Sequence, residues 1–207
     1  MAAVEISQEP WSGEVPQSAI TEYFFGLHLP DENHFLQSET VISTVPLDMD
    51  ALRRTFDLLV LHHDMLRAIV VGNRLSVRPA DAAGLYRIME YDLSGSKGKD
   101  AERLISKYGT EMRESFDIRN EGVMRIGVYH LGDRDVLDIA VHHLVVDGVS
   151  WRIIEEDIRT AYPEYARGGN PELPSKTHSY AEYASALGRF TESYEGLREI
   201  SSWLDTN

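Results

Sequence analysis

Two adjacent histidines, His142 and His143, are the side chains in this sequence best suited to proton transfer. They end an apolar run that alternates like a β-strand, in which successive side chains point to opposite faces of the sheet. His143 then shares the face of Leu137, Ile139 and Val141. On an apolar face, burial and a neighbouring acid can tune an imidazole to exchange a proton near pH 7. The pattern therefore predicts that His143 is a working base and that His142, which points away, is structural.

The residues after the histidines predict a sharp loop followed by a helix. Asp147 stands where its side chain can cap that helix or hold the loop through an ion pair. Gly148 permits a backbone angle that most residues resist. Apolar side chains then recur at helical spacing from Trp151 onward. We expect this unit to aim His143 from the end of the strand into the space that the loop borders.

No metal site is predicted at either of the two His-His pairs in the chain. Neighbouring strand residues such as His142 and His143 cannot easily chelate one ion. The other pair, His62 and His63, ends a predicted helix. Histidines at a helix end usually cap carbonyl groups or lie in solvent, and the sequence places no acidic or histidine cluster at ligand spacing beside them.

Residues 142–148, His-His-x-x-x-Asp-Gly, resemble the active-site motif of the condensation-domain superfamily of nonribosomal peptide synthetases, which shares its fold with chloramphenicol acetyltransferase. Residues 149–157 are more similar to the epimerization branch than to the condensing branch. Five other stretches resemble family motifs in the same order, and together they span most of the chain. They are residues 14–16 with Ile20 and residues 23–25, residues 33–38 (Asn-His-Phe-Leu-Gln-Ser), residues 62–67 (His-His-Asp-Met-Leu-Arg), residues 116–118 and residues 173–177.

The resemblance implies a reaction on an aminoacyl or peptidyl thioester that a carrier protein holds on its phosphopantetheine arm. The epimerization branch removes and returns the proton at the alpha carbon, with no metal or redox cofactor bound directly. His143 would take one of the proton roles, and a glutamate from a second lobe would be its partner. His142 would be structural.

The same resemblance gives roles to the loop that follows. Asp147 would hold the loop, and Gly148 would keep space open near the thioester. Ser150 and Trp151 are candidates for the wall of the substrate channel.

Two other functions stay open. In the condensing branch, His143 would orient an amine as it attacks an acyl thioester, which forms an amide bond. In a third reading, the lobe does not catalyse and serves for docking. Degenerate lobes of that kind often lose the histidine motif, which this chain keeps.

Members of the superfamily consist of two similar lobes with the channel between them, and the matched motifs belong to the first. We expect residues 1–15 to be a leader packed loosely on the surface and residues 16–177 to form the N-terminal lobe. Residues 178–207 would be a helix leading toward a second, C-terminal lobe that is missing from this sequence. Without that lobe we expect no activity, and exposed apolar surface that favours self-association.

The remaining pattern predicts an α/β fold with a mixed, largely antiparallel sheet flanked by helices, in a chloramphenicol acetyltransferase-like lobe. We expect a helix from Pro16 and a second helix capped by Asp48. Strands between residues 66 and 92 would form a meander, and residues 124–142 a central hairpin. Arg67 would be a buried cation that needs an acid, and pairing that supports the active-site loop is one option.

Composition excludes several other classes of protein. The 207 residues are 43% hydrophobic, which suffices for a buried core. A formal net charge of −14 argues against binding nucleic acid through its phosphates. The absence of cysteine excludes disulfides and thiol nucleophiles and is compatible with the cytoplasm, where we expect the protein. Neither a secretory signal nor an apolar run of about 20 residues is visible, so we expect no membrane contact.

Overall fold

The computed structural model describes residues 6–204, which form two β-sheets with α-helices packed around them. The strands are β1 (Gly13–Glu14), β2 (Leu36–Ile42), β3 (Ala68–Val71), β4 (Arg74–Val77), β5 (Arg87–Asp92), β6 (Met124–His130) and β7 (Asp135–His142). The helices are α1 (Ala19–Gly26), α2 (Met49–His62), α3 (Lys99–Glu114), α4 (Gly148–Ala166), α5 (Tyr180–Thr191) and α6 (Tyr194–Leu204). Short 3-10 turns lie at Glu32–His34 and Asp64–Arg67.

The larger sheet has the strand order β2-β7-β6-β5 and carries the histidine motif at the end of β7. Strands β6 and β7 form the predicted central hairpin, and β2 pairs with β7 antiparallel. Strand β5 runs parallel to β6. A parallel pair needs a crossover connection, which α3 provides between these two strands. The prediction of a mixed, largely antiparallel sheet flanked by helices is confirmed.

The predicted meander between residues 66 and 92 is wrong. Strands β3 and β4 do form a hairpin, but they pair with β1 in a separate three-stranded sheet of order β1-β4-β3. Strand β5 leaves that hairpin and joins the larger sheet. Turn residues mark where a strand ends, but they do not determine which sheet the next strand joins.

Both faces of β7 are buried, which explains why its sequence is almost continuously apolar. On one face, Leu137, Ile139 and Val141 belong to a core cluster with residues of α2 and α4. On the other face, Ala140 packs with residues of α1 and α3. His142, the last residue of β7, and His143, which follows it, therefore lie between two helix-covered faces of the sheet.

Three boundaries differ from the predictions. The leader is not loosely packed at its end, because β1 pairs with β4 and Val15 is buried. Helix α1 begins at Ala19 rather than at Pro16, with Ser18 as its N-cap. Phe24 of this helix is buried, whereas Ile20 and the C-cap residue Leu27 are exposed. The single C-terminal helix is two helices, α5 and α6, separated by residues 192–193.

Apolar side chains of α5 and α6 are exposed, as expected for a surface that another part of a protein covers. The large ones are Tyr183, Phe190, Tyr194, Leu197, Ile200, Trp203 and Leu204. Self-association through this surface stays a prediction. Among the helices of residues 6–204, none has the length and apolar character needed to cross a membrane.

Candidate active site

His143 lies in the turn after β7, where three contacts with Phe35 and Val146 fix its position. Its backbone N–H donates to the carbonyl of Phe35 at 2.8 Å, and its ring stacks on the Phe35 ring with centroids 5.0 Å apart. Its Nδ1 lies 2.7 Å from the carbonyl oxygen of Val146. Because a carbonyl only accepts, Nδ1 carries the proton, and in a neutral ring the basic lone pair is then on Nε2. The half-buried ring therefore offers a basic nitrogen in a fixed direction.

The Nε2 atom of His143 contacts an amide rather than a carboxylate. Nε2 of Gln37 lies 3.1 Å from it, and Oε1 of Gln37 accepts a hydrogen bond of 3.0 Å from the indole of Trp151. The side chain of Asp147, four residues further along, bonds to Val149 and Ser150 instead. Two neutral groups, the Gln37 amide and the Val146 carbonyl, therefore contact the ring nitrogens of His143, and the sequence expectation that a neighbouring acid could tune the ring finds no such contact among the hydrogen bonds of residues 6–204.

His142 is fully buried on the opposite face of the sheet, as the alternation predicted. Its Nε2–H donates to the carbonyl of Glu32 at 2.8 Å, and its Nδ1 accepts from the backbone N–H of Leu144 at 3.2 Å. The ring lies edge-on to Phe24 of α1. Burial lowers the pKa of His142, so the ring is neutral. Both ring nitrogens are occupied by backbone groups, which leaves none for substrate.

Asp147 is the N-cap of α4. Its Oδ1 accepts from the backbone N–H groups of Val149 and Ser150, at 3.1 and 2.8 Å, and from the Ser150 hydroxyl at 2.7 Å. The hydrogen bonds from Ser150 lower the pKa of Asp147. Of the two roles predicted for Asp147, capping is the one observed. It fixes the start of the helix that carries Trp151.

Gly148 does not adopt the unusual backbone angle predicted for it. It is the first residue of α4, and it is not among the glycines with positive φ. A side chain added at Gly148 would meet no atom within 4 Å. The conformational prediction is therefore wrong, and the expectation that Gly148 keeps room for a thioester stays a prediction.

Arg67 is completely buried, and its partners lie away from the histidine loop. The guanidinium donates to Asp64 at 3.0 Å and to four backbone carbonyls. These carbonyls belong to Trp11, Val60, Leu61 and Arg78. The acid that the cation needs is therefore Asp64, and the direct pairing with the active-site loop is wrong. The preceding residue, Leu66, shares a core cluster with Val146.

A cavity of about 510 Å³ lies beside the histidine loop. Val145, Val146 and Ser150 form one wall, and His62, His63 and Lys176 lie among the residues that form the rest. Trp151 is buried and is not a lining residue of this cavity. Ser150 thus lies on the wall of this cavity, whereas the Trp151 side chain is buried against Gln37.

The second His-His pair has an acidic neighbour that the sequence did not reveal. Nε2 of His63 lies 2.7 Å from Oδ2 of Asp157, which is buried on α4. Ligand atoms of His62, His63 and Asp157 lie within 4.8 Å of one another. The expectation of no acidic group at ligand spacing was therefore wrong. The short contact between His63 and Asp157 is a direct hydrogen bond that ties the end of α2 to the middle of α4.

Phe35 and Gln37 are the site residues that the sequence interpretation missed. They lie in the Asn-His-Phe-Leu-Gln-Ser stretch, but no role was assigned to them. Strand periodicity contained a signal, since residues 35 and 37 fall on one face. The register of β2 against β7 pairs Gln37 with Val141, and Val141 shares its face with His143.

Comparison with known proteins gives the chain a family. The condensation-domain family model matches residues 12–206. Surfactin synthase subunit 1 of Bacillus subtilis (strain 168) is 34% identical over 203 residues, which cover 96% of this chain and 6% of the relative. Bacitracin synthase 3 of Bacillus licheniformis is 31% identical over 201 residues, which cover 96% of this chain and 3% of that relative. The chain therefore spans a small part of these relatives.

Solved structures share the fold. The epimerization domain from the third module of tyrocidine synthetase B superposes with a TM-score of 0.89 at 29% identity, covering 97% of this chain and 46% of that one. The starter condensation domain of rhizomide synthetase gives a TM-score of 0.77 at 12% identity, covering 93% and 49%, and supports the fold alone. The chain belongs to the condensation-domain family of nonribosomal peptide synthetases and corresponds to the N-terminal part of such a domain.

Proposed function

We propose that this chain is the N-terminal lobe of an epimerization domain, which interconverts the L and D configurations at the alpha carbon of a carrier-bound aminoacyl or peptidyl thioester. The observation that supports a proton-transfer role is the tautomer of His143. Its Nδ1–H is bonded to the carbonyl of Val146, so the lone pair of Nε2 is available as a base. The likeness to the tyrocidine epimerization domain supports the same branch.

The proposed reaction is a proton exchange. Nε2 of His143 takes the alpha proton, and the electron pair of the C–H bond moves into the thioester as an enolate-like intermediate. A proton returned to the other face of the alpha carbon gives the opposite configuration. A thioester alpha proton is weakly acidic, so the site must supply both a base and stabilisation of the negative charge.

The second proton donor, a glutamate in the resemblance, would come from a second lobe that faces this one. The half-buried position of His143 and the open space beside Gly148 fit a site with one wall formed elsewhere. The chain alone would then be inactive.

The substrate would arrive on the phosphopantetheine arm of a carrier protein, since the relatives are peptide synthetases. The arm belongs to the carrier and is substrate here, not a cofactor of this chain. The cytoplasm is the compartment that we propose for the reaction. The exposed apolar faces of α5 and α6 suit a neighbouring lobe.

A condensing function is the second candidate, because the family model that matches is that of the condensation domain. In that case His143 would orient an acceptor amine through the same Nε2 lone pair. The geometry of the lobe serves both reactions, so the product distinguishes them. A lobe that only docks carriers is the third.

The test uses the chain combined with a second lobe and a carrier loaded with an L-aminoacyl group in deuterated water. Mass spectrometry follows deuterium at the alpha carbon. We expect exchange that needs both lobes and that falls roughly 10²- to 10⁴-fold in His143→Ala, because removal of a general base has that effect. His28→Asn is the control, since His28 is exposed and adopts a positive φ that asparagine tolerates.

Two other outcomes would assign the lobe a different function. Amide formation without exchange, once an acceptor carrier is added, would make the domain a condensing one. Carrier binding without either reaction would favour the docking lobe.

A further inference from the structure

We propose that Gln37 is a positioning residue for His143, and that Trp151 sets the direction of its amide. The Gln37 amide donates to Nε2 of His143 and keeps that nitrogen unprotonated and aimed until substrate displaces it. The role in catalysis rests on the proposed function, whereas the hydrogen-bond chain itself can be tested without any reaction.

The direction of the Gln37 amide follows from its other partner. The indole Nε1–H of Trp151 can only donate, and the atom that it meets at 3.0 Å must therefore be the carbonyl oxygen Oε1. The NH2 group of Gln37 then faces His143, with its nitrogen 3.1 Å from Nε2. An NH2 group can only donate, so Nε2 must accept.

A second contact requires the same tautomer independently. The carbonyl of Val146, 2.7 Å from Nδ1 of His143, needs a donor and so fixes the proton on Nδ1. The Val146 contact is made within the turn after β7. The Gln37 contact depends on β2, which carries Gln37, and on α4, which carries Trp151. Their agreement leaves one arrangement of protons for the neutral ring.

Two elements build this chain of hydrogen bonds. Strand β2 places Gln37 opposite Val141 of β7 and places Phe35, two residues earlier, under the His143 ring. Helix α4 carries Trp151, and its first turn is fixed by the Asp147 cap. The cap therefore acts on His143 through the helix, Trp151 and Gln37.

Nitrogen NMR of the 207-residue chain tests the arrangement directly. In the wild type we expect a protonated Nδ1 and an unprotonated Nε2 on His143, with scalar coupling across the hydrogen bond from Gln37. In Trp151→Phe the amide can rotate, and we expect that coupling to be lost. Trp203→Phe, which changes an exposed indole, should leave it intact.

Gln37→Glu is the sharpest variant because its shape is unchanged. A carboxylate can only accept, so it favours a proton on Nε2 while the Val146 carbonyl keeps the one on Nδ1. We expect both ring nitrogens of His143 to be protonated at pH 7. Gln17→Glu, at a half-buried glutamine that bonds to the Asn73 carbonyl, is the control and should not change the His143 signals. A wild-type ring protonated on Nε2, or an unprotonated Nε2 in Gln37→Glu, would overturn the proposal.

Kinetics of the two-lobe domain test the positioning role. Loss of a group that orients a working histidine costs roughly 10- to 100-fold in other sites, and we expect a fall of that size in kcat for Trp151→Phe and Gln37→Leu. KM should change little, because neither side chain is needed to bind the carrier. Unchanged kcat in both variants would refute the positioning role.

Failure of the inference and failure of the proposed function give different results. Correct NMR signals in a domain that exchanges no alpha protons would leave the hydrogen-bond chain intact and remove the epimerization assignment. Alpha-proton exchange by a domain in which Nε2 of His143 is protonated would support the epimerization assignment and refute the hydrogen-bond chain.

Discussion

The chain contains two His-His pairs, and their surroundings give them different chemistry. At residues 142–143 the ring nitrogens meet backbone groups and one amide. At residues 62–63, His63 meets the buried carboxylate of Asp157. A carboxylate engages a histidine proton strongly and ties the ring in place. At His143, neutral partners instead fix the tautomer and leave the Nε2 lone pair in contact with an amide that substrate can displace. The partners of a histidine, not its motif, decide whether it is structural or reactive.

The two regions also differ in how they are anchored. The turn after His62 and His63 is held by Arg67, whose guanidinium joins Asp64 to carbonyls of several segments. The turn after His142 and His143 is held by the Asp147 cap at the exposed start of α4. The first region should therefore govern stability, and the second should govern the aim of His143.

Arg67→Met gives the largest expected loss of stability. Removing the buried cation leaves several buried carbonyls without a donor, and the loss of one partner of a buried pair costs about 3–5 kcal/mol. Urea unfolding measures the change. The control, Arg159→Met, alters an exposed pair with Glu155 and should cost less than about 1 kcal/mol. Equal effects in the two variants would contradict the difference in anchoring.

Asp157→Ala tests the structural assignment of the second pair. The change leaves His63 without its buried acceptor, and we expect a loss of about 1–3 kcal/mol in the free energy of unfolding. Asp157→Asn keeps an acceptor and should lose less. The ring signals of His143 should be unchanged in both variants, because its hydrogen bonds go to other residues. A shift of those signals would mean that the two pairs are coupled.

Asp147→Ala should have the opposite pattern, with a small effect on stability and a clear effect on His143. Loss of a helix N-cap costs about 1 kcal/mol. Asp147→Asn keeps the cap and is the control. We expect only the alanine variant to broaden the Nε2 signal of His143, since the first turn of α4 positions Trp151. Sharp signals in Asp147→Ala would show that the cap does not act on the histidine.

The sequence predicted those features of the site that depend on local spacing. Alternation placed His142 and His143 on opposite faces, and the position of Asp147 before a helical pattern predicted its cap. Gln37 and Trp151 are 114 residues apart, and their contact depends on how β2 and α4 meet the same sheet. Asp157 reaches His63 across 94 residues for the same reason. Local periodicity sets the face of a side chain, whereas strand order and helix packing set its partner.

The smallest expected effect is the pH dependence that His142 gives to stability. Burial lowers its folded pKa below the unfolded value of 6.5, so below that pH the unfolded chain binds more protons than the folded one. Its contribution is therefore complete above pH 6.5 and is lost as the pH falls toward the folded pKa. Between about pH 7.5 and 6 the loss should be less than about 1 kcal/mol. His142→Gln keeps a donor for the Glu32 carbonyl but does not titrate, so its unfolding free energy should fall less over this range. Identical slopes would mean that folding does not lower the pKa of His142, which its burial and its two backbone hydrogen bonds oppose.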